Sequence, residues 1–162
     1  MEKENPKEIG ILFVCLGNIC RSPAAEGILL HLAEVHGVTH RLRVDSAGIG
    51  SWHVGDLPDR RMRSHGARHG YDFTSRARQF RPEDFDRFDM IIGMDDKNVS
   101  DLRCRARNER DIQKIHCMTE YLACHPRQHS VPDPYYGGAA DFELVIELLE
   151  DGCSELLRKL GF

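Results

Sequence analysis

Seven consecutive residues, Ile9–Cys15 (IGILFVC), are apolar or glycine and rich in β-branched and aromatic side chains, and the chain runs from them straight into LGNICRS. A short apolar run of this kind reads as a strand buried on both faces. The stretch that follows, PAAEGILLHLAEVHG (Pro23–Gly37), has helical spacing, with Pro23 in its first turn and Gly37 past its end. Ser22 stands where an N-cap is expected. LRVDSAG (Leu42–Gly48) reads as a second strand. Strand, helix and strand within some forty residues make a βαβ unit, which requires parallel pairing and a right-handed crossover.

The alternation continues. PDRRMRSHGARHG (58–70) reads as a helix, MIIGM (Met90–Met94) as a third strand, DKNVSDLRCRA (96–106) as a helix and IQKIHCM (Ile112–Met118) as a fourth strand. A last helix begins near Ala140, and Phe142, Val145, Ile146, Leu149, Cys153, Leu156, Leu157 and Leu160 follow the helical period, with Gly152 as an interruption. The expected fold is an α/β three-layer sandwich: a four-stranded parallel sheet, strand order 2-1-3-4, covered by helices on both faces. A chain of 162 residues suffices for one domain, expected over 9–162 after a disordered tail at 1–8.

Other classes are disfavoured by composition. The first eight residues are charged and polar, with no apolar core of the kind a signal peptide needs, and no window is apolar for the length of a bilayer. The cytoplasm is therefore the expected location, with export by a non-standard route left open. A net charge of −4 argues against nucleic acid or an anionic membrane as a main partner. Six cysteines are too sparse for a disulfide scaffold.

In open parallel sheets, ligands bind beyond the carboxyl ends of the strands, which is where CLGNICR lies. Cys15 and Cys20, five residues apart, are compatible with a zinc knuckle, a redox pair or a thiolate nucleophile, and the residues around them choose. Gly17 and Asn18 both tolerate left-handed dihedrals, so the backbone can curl between strand and helix. Curled amides at a helix N-terminus form an anion nest, to which the helix dipole adds positive charge. Arg21 can grip two oxygens of a tetrahedral oxyanion with its planar fork. The same field stabilises a thiolate at Cys15, and the Ser22 hydroxyl can donate to that sulfur. Cys20, as a nearby thiol, could capture an oxidised Cys15 as a disulfide before it reaches irreversible acids.

VCLGNICRSP (Val14–Pro23) resembles the phosphate-binding loop of the low-molecular-weight protein tyrosine phosphatases. DSAG (45–48), SWHVG (51–55), RARQF (76–80), FDMIIGMD (88–95) and VPDPYYGG (131–138) recur in that family's order, so the resemblance covers nearly the whole chain. It implies hydrolysis of phosphotyrosine and aryl phosphate monoesters through a cysteinyl-phosphate intermediate, without metal or other cofactor. Phosphotyrosine proteins are then the substrates and inorganic phosphate the product, with the enzyme acting as a monomer. It makes Cys15 the nucleophile and Leu16, Gly17, Asn18, Ile19, Cys20, Arg21 and Ser22 the phosphate loop. Asp133, between Pro132 and Pro134, becomes the general acid and then the base that activates water. Asn18 and Ser46 become supports of the loop, Trp52, Tyr135 and Leu16 the pocket mouth, and Tyr136 a second loop tyrosine. Many relatives carry a histidine, bonded to the loop asparagine, where this chain has Ser75, so the support here has to be arranged differently.

Arsenate reductases share the loop, but they carry resolving cysteines after the third strand, where this chain has MIIGMDDKN and none. Protein arginine phosphatases favour threonine where this loop has Leu16 and Ile19, and a branched aliphatic offers a guanidinium no hydrogen bond. A metal-binding module would draw on His116, Cys117, Cys124, His125 and His129, whose spacing lacks tight ligand pairs. A catalytically dead phosphate-binding module would lack Cys15, Arg21 or Asp133, and all three are present. The histidines between residues 53 and 69 read as solvated surface groups.

Overall fold

In this computed structural model, which describes residues 7–162, β1 (Ile9–Cys15) runs through the middle of the sheet. It pairs in parallel with β2 (Leu42–Gly48) on one side and β3 (Met90–Gly93) on the other, and β3 pairs with β4 (Ile115–Cys117). The strand order is β2-β1-β3-β4, as expected. The tail anticipated at the N-terminus lies outside the described residues up to position 6, while Lys7 and Glu8 are exposed and irregular.

The two-residue period of β1 divides the core into two layers. Ile11, Phe13 and Cys15 face a large cluster built with α1 (Arg21–Val35) and α6 (Ala139–Lys159), including Ala25, Ile28, Val145 and Leu149. Leu12 and Val14 face a smaller one with Phe85 of α3 (Asp84–Arg87), Ile91 of β3 and Leu102 of α4 (Asp96–Arg105). Gly152 of α6 is a packing choice: a Cβ there would meet Met118 Cε at 2.4 Å. Among the described residues no helix is long and apolar enough to cross a membrane.

Two strand boundaries differ from the expectation. Ile112 and Gln113 belong not to β4 but to a short helix, α5 (Glu109–Gln113), whose first turn is capped by Asn108 Oδ1 accepting from Asp111 N at 2.9 Å. That cap keeps the chain helical up to Lys114 and leaves Ile112 exposed. β3 stops at Gly93 because Met94 N–H donates to Asn98 Oδ1 (3.1 Å) instead of to a neighbouring strand.

The helix α2 (Arg60–Arg68) is joined to α1 through one aromatic ring. Phe73 sits so close to both that a Cβ on Gly27 would lie 2.5 Å from its ring and one on Gly66 2.3 Å. In an open helix, glycine to alanine gains about 1 kcal/mol. Here Gly27→Ala and Gly66→Ala should each instead lose roughly 1–3 kcal/mol by overpacking a buried ring. Urea unfolding of the two variants checks this, and a gain in either would show that the ring moves freely.

Candidate active site

Cys15 is the last residue of β1 and 3% exposed. The turn after it is fastened to the segment following β2: Ile49 N donates to Cys15 O and Gly50 N to Leu16 O, both at 2.9 Å. Asn18 takes φ +57°, the left-handed conformation that lets the chain curl back, and among the described residues it is the one non-glycine to do so. Gly17, which was expected to share that freedom, keeps out of the left-handed region. Its bare Cα instead admits His53, whose Cδ2 would lie 3.2 Å from a Cβ.

The Asn18 side chain ties three segments together. Its Nδ2 donates to Ser22 Oγ of α1 (2.8 Å) and to Ser46 Oγ of β2 (2.9 Å), and its Oδ1 accepts from Arg78 N (3.0 Å). Through Asn18 and Ser46 the turn is thus bonded to both α1 and β2. Because Ser22 Oγ accepts from Asn18, its own proton is free to point at Cys15 Sγ, 3.0 Å away. That contact corrects the reading of Ser22 as an N-cap. Helix α1 begins at Arg21, with Cys20 as its N-cap and no side-chain capping bond, and Ser22 lies buried within the first turn. The tight turn at Asn18 starts the helix earlier than the sequence pattern suggested, which turns the serine hydroxyl toward the sulfur. Among the described residues, the N–H groups of Gly17, Asn18, Ile19 and Cys20 meet no acceptor in the protein, so the turn presents a ring of free donors.

Arg21 is 2% exposed. Its Nη1 donates to Asp95 Oδ2 (2.6 Å) and to Val131 O (3.1 Å), and its Nη2 stands 3.7 Å from Asp133 Oδ2. Burial works against the guanidinium charge, but Cys15, Asp95 and Asp133 outweigh it and hold Arg21 more firmly protonated than a free arginine. Asp95 went unassigned in the sequence. The same carboxylate accepts from Asn98 N (2.7 Å) and so caps α4 while it anchors Arg21. Asp133 sits in the 131–138 loop, which Val131 N ties to Met94 O at 2.9 Å, and its Oδ1 accepts from Tyr135 N at 3.1 Å. Burial, and then the nearby Asp59 and Cys15, push the Cys20 thiol up, so it stays protonated beside Cys15.

These groups meet in a cavity of about 310 Å³, with Cys15, Cys20 and Arg21 in its lining together with Leu16, Gly17 and Ile19 of the turn. Asp133, Trp52, Tyr135 and Tyr136 complete the wall, with Trp52 70% and Tyr136 95% exposed at the mouth. Asn18, Ser22 and Ser46 lie outside the lining. His53 lines the cavity too, although the sequence reading placed it among solvated histidines; its place beside Trp52 in SWHVG was the available signal. The 116–129 segment does not gather into a metal site: among the described residues no three His, Cys, Asp or Glu side chains converge as ligands, and His125 Nδ1 pairs with Asp151 at 2.7 Å.

Ser75 leaves Asn18 to other partners. Arg78, whose amide meets Asn18, has its guanidinium fixed by Asp45 and Asp84, each at 3.0 Å. Behind Ser46 stands Glu26 of α1, whose Oε1 accepts from Ser46 Oγ at 2.7 Å. A glutamate among the apolar residues of AAEGILL was the sequence signal for it. Burial, helped by Asp45 and opposed by the Ser46 bond and Arg78, pushes its carboxyl up to about 7.

The low molecular weight phosphotyrosine protein phosphatase family model matches residues 10–161. A Synechocystis protein is 48% identical over 151 residues, which are 93% of this chain and 96% of that one. The crystal structure of an Entamoeba histolytica protein tyrosine phosphatase superposes with a TM-score of 0.92 at 43% identity, covering 95% of this chain and 97% of the other. A Drosophila arginine phosphatase structure matches with a TM-score of 0.87 at 32% identity, covering 94% and 97%. The chain belongs to the low molecular weight phosphotyrosine protein phosphatase family.

Glu26 makes a test of the support. Its folded value of about 7 lies above the usual 4.5, so the folded protein binds the extra proton and its stability falls as pH rises from 4.5 through 7. Glu26→Gln should remove that fall. Relative to wild type, the variant should gain up to about 3 kcal/mol between pH 4.5 and 8, read from urea midpoints. A difference that does not change with pH would mean that Glu26 is not the titrating group.

Proposed function

We propose that residues 9–162 act as one domain in which Cys15, Arg21 and Asp133 hydrolyse phosphotyrosine monoesters of protein substrates. The observation that carries this reading is that one cavity gathers Cys15, the buried Arg21, Asp133 3.7 Å from that arginine, and a turn whose amides meet no protein acceptor. The phosphate oxygens take the amides of 17–20 and the Arg21 fork. The Cys15 thiolate attacks phosphorus, an S–P bond forms, the P–O bond to the tyrosyl oxygen breaks, and Asp133 gives that oxygen its proton. Asp133 then removes a proton from water, water attacks phosphorus, and the S–P bond breaks to release inorganic phosphate. The Ser22 proton stabilises the sulfur as it leaves.

The side chains of Leu16 and Ile19 carry only aliphatic carbon and the mouth is aromatic, which suits a phenyl ester better than a guanidinium. The chemistry calls for no metal or cofactor. With net charge −4 and no membrane-length helix among the described residues, we take the enzyme to act in the cytoplasm as a monomer, without nucleic-acid or membrane partners.

Turnover of phosphotyrosine and phosphoarginine peptides, measured side by side, tests the substrate. Cys15→Ser should lose all turnover yet keep phosphate binding, and near wild-type activity would remove Cys15 from the nucleophile role. Asp133→Ala should slow esters with poor leaving groups by roughly 100-fold or more and good ones much less. Equal losses would take it out of the acid role.

Cys20 lines the same cavity as Cys15, which supports a redox brake. Peroxide oxidises the Cys15 thiolate to a sulfenic acid, Cys20 displaces water from it, and a Cys15–Cys20 disulfide forms. Intact-mass analysis after peroxide should show a loss of two hydrogens, reversed by dithiothreitol. Sulfinic or sulfonic Cys15 as the sole product would refute the brake.

A further inference from the structure

Among the described residues, His53 lines the cavity with a polar side chain that this chemistry leaves unused. Its ring lies over the backbone of the phosphate loop at Gly17 and 6.4 Å, centroid to centroid, from Tyr135 on the facing wall. Its position is built: Asp56 N donates to His53 O (2.8 Å) to close a turn, and the same Asp56 sets Oδ2 3.4 Å from His53 Nδ1. With Nδ1 turned to Asp56, Nε2 is the nitrogen left for a substrate.

The surroundings are cationic. Arg61 Nη2 donates to Tyr135 O (2.9 Å), and its guanidinium stands 5.6 Å from the Tyr135 ring. Arg76 Nη1 donates to Gly55 O (3.1 Å), two residues beyond His53, and among the described residues it has no ion pair. Residues 60–81 carry seven arginines against one aspartate, in a chain of net charge −4. The carboxylates around the mouth each face a cationic side chain or the imidazole: Asp56 faces His53 (3.4 Å), Asp59 Arg61 (3.1 Å) and Asp133 Arg21 (3.7 Å). An acidic segment approaching this mouth therefore meets donors rather than free carboxylates.

We propose that His53 reads an acidic side chain adjacent to the phosphotyrosine, donating from Nε2 to its carboxylate while Arg61 and Arg76 supply the surrounding positive charge. In its doubly protonated form the ring donates to Asp56 from Nδ1 and to the substrate from Nε2 at once. The inference rests on the phosphotyrosine reading and adds the sequence context that the pocket selects.

The test compares two phosphotyrosine peptides, identical except for glutamate or glutamine on either side of the phosphotyrosine, with the whole chain and with His53→Gln and His53→Glu. The readout is the ratio of kcat/KM for the two peptides, in which any general loss of activity or folded fraction cancels. Wild type should favour the glutamate peptide by about fivefold, mostly through KM, as expected of a rim charge contact. His53→Gln should bring the ratio close to one, and His53→Glu should turn it below one. A wild-type ratio of one, or a preference that His53→Gln leaves intact, overturns the role of His53. Turnover of neither peptide falls on the phosphotyrosine reading itself, and takes the inference with it.

Discussion

The left-handed turn at Asn18 is the constraint on which the site depends. A non-glycine residue at φ +57° is strained unless its side chain is held, and here one amide group holds it from three directions: α1, β2 and the 76–80 segment. The consequences are chemical. The curl leaves four successive amides without internal acceptors. It starts α1 at Arg21, so the arginine emerges at the helix's positive end. It also has Ser22 Oγ accept from Asn18, so that the serine proton is left for Cys15. Polar networks of this kind are stable only when complete, and this one closes through Ser46 onto Glu26.

The second constraint is the burial of Arg21. A buried guanidinium without a counter-charge is strongly unfavourable, and a phosphate site must be ready before its ligand arrives. Asp95 resolves this by bonding Nη1, which also donates to Val131 O, while the more distant Asp133 faces Nη2. The arginine is thus neutralised on one side and available on the other. Because Asp95 also caps α4, the anchor is rigid: moving it would unravel a helix start. Asp133, by contrast, is 41% exposed at its side chain and held by a single turn bond, as suits the proton donor and acceptor we propose it to be.

Much of this was legible in the chain, for a physical reason. Cys15, the glycine–asparagine turn, Arg21 and the strand before them are contiguous, so local rules apply, and β1 was placed at its observed limits because its residues are buried on both faces. What was missed depends on distance in sequence. Asp95 acts on a residue 74 positions away and Glu26 on one 20 away, so no local period reports them. His53 looked like surface because only the fold brings Gly17 beneath it. The errors at Ser22 and Ile112 have another origin. Both lie beside a helix start whose position is set by a competing hydrogen bond, at Asn18 in one case and Asn108 in the other, and periodicity of apolar residues does not register such bonds.

The site also separates its tasks by loop. Sulfur, amides and arginine come from the turn after β1, in the middle of the sheet, where neighbouring strands on both sides and helices on both faces immobilise them. The mouth is made by the 51–56 and 131–138 loops, whose side chains are largely exposed and fastened by a few bonds, Ile49 and Gly50 to the loop backbone and Val131 to Met94. Chemistry therefore sits where the fold is least able to deform, and recognition sits where a residue such as His53 or Tyr136 can change without disturbing Cys15. The exception is Asp133. It belongs to an outer loop yet in the proposed mechanism acts on the leaving oxygen, and its Asx turn with Tyr135 couples it to an aromatic wall. A substrate ring that packs against Tyr135 would settle the same turn that aims the carboxyl, so filling the pocket and placing the proton are one event.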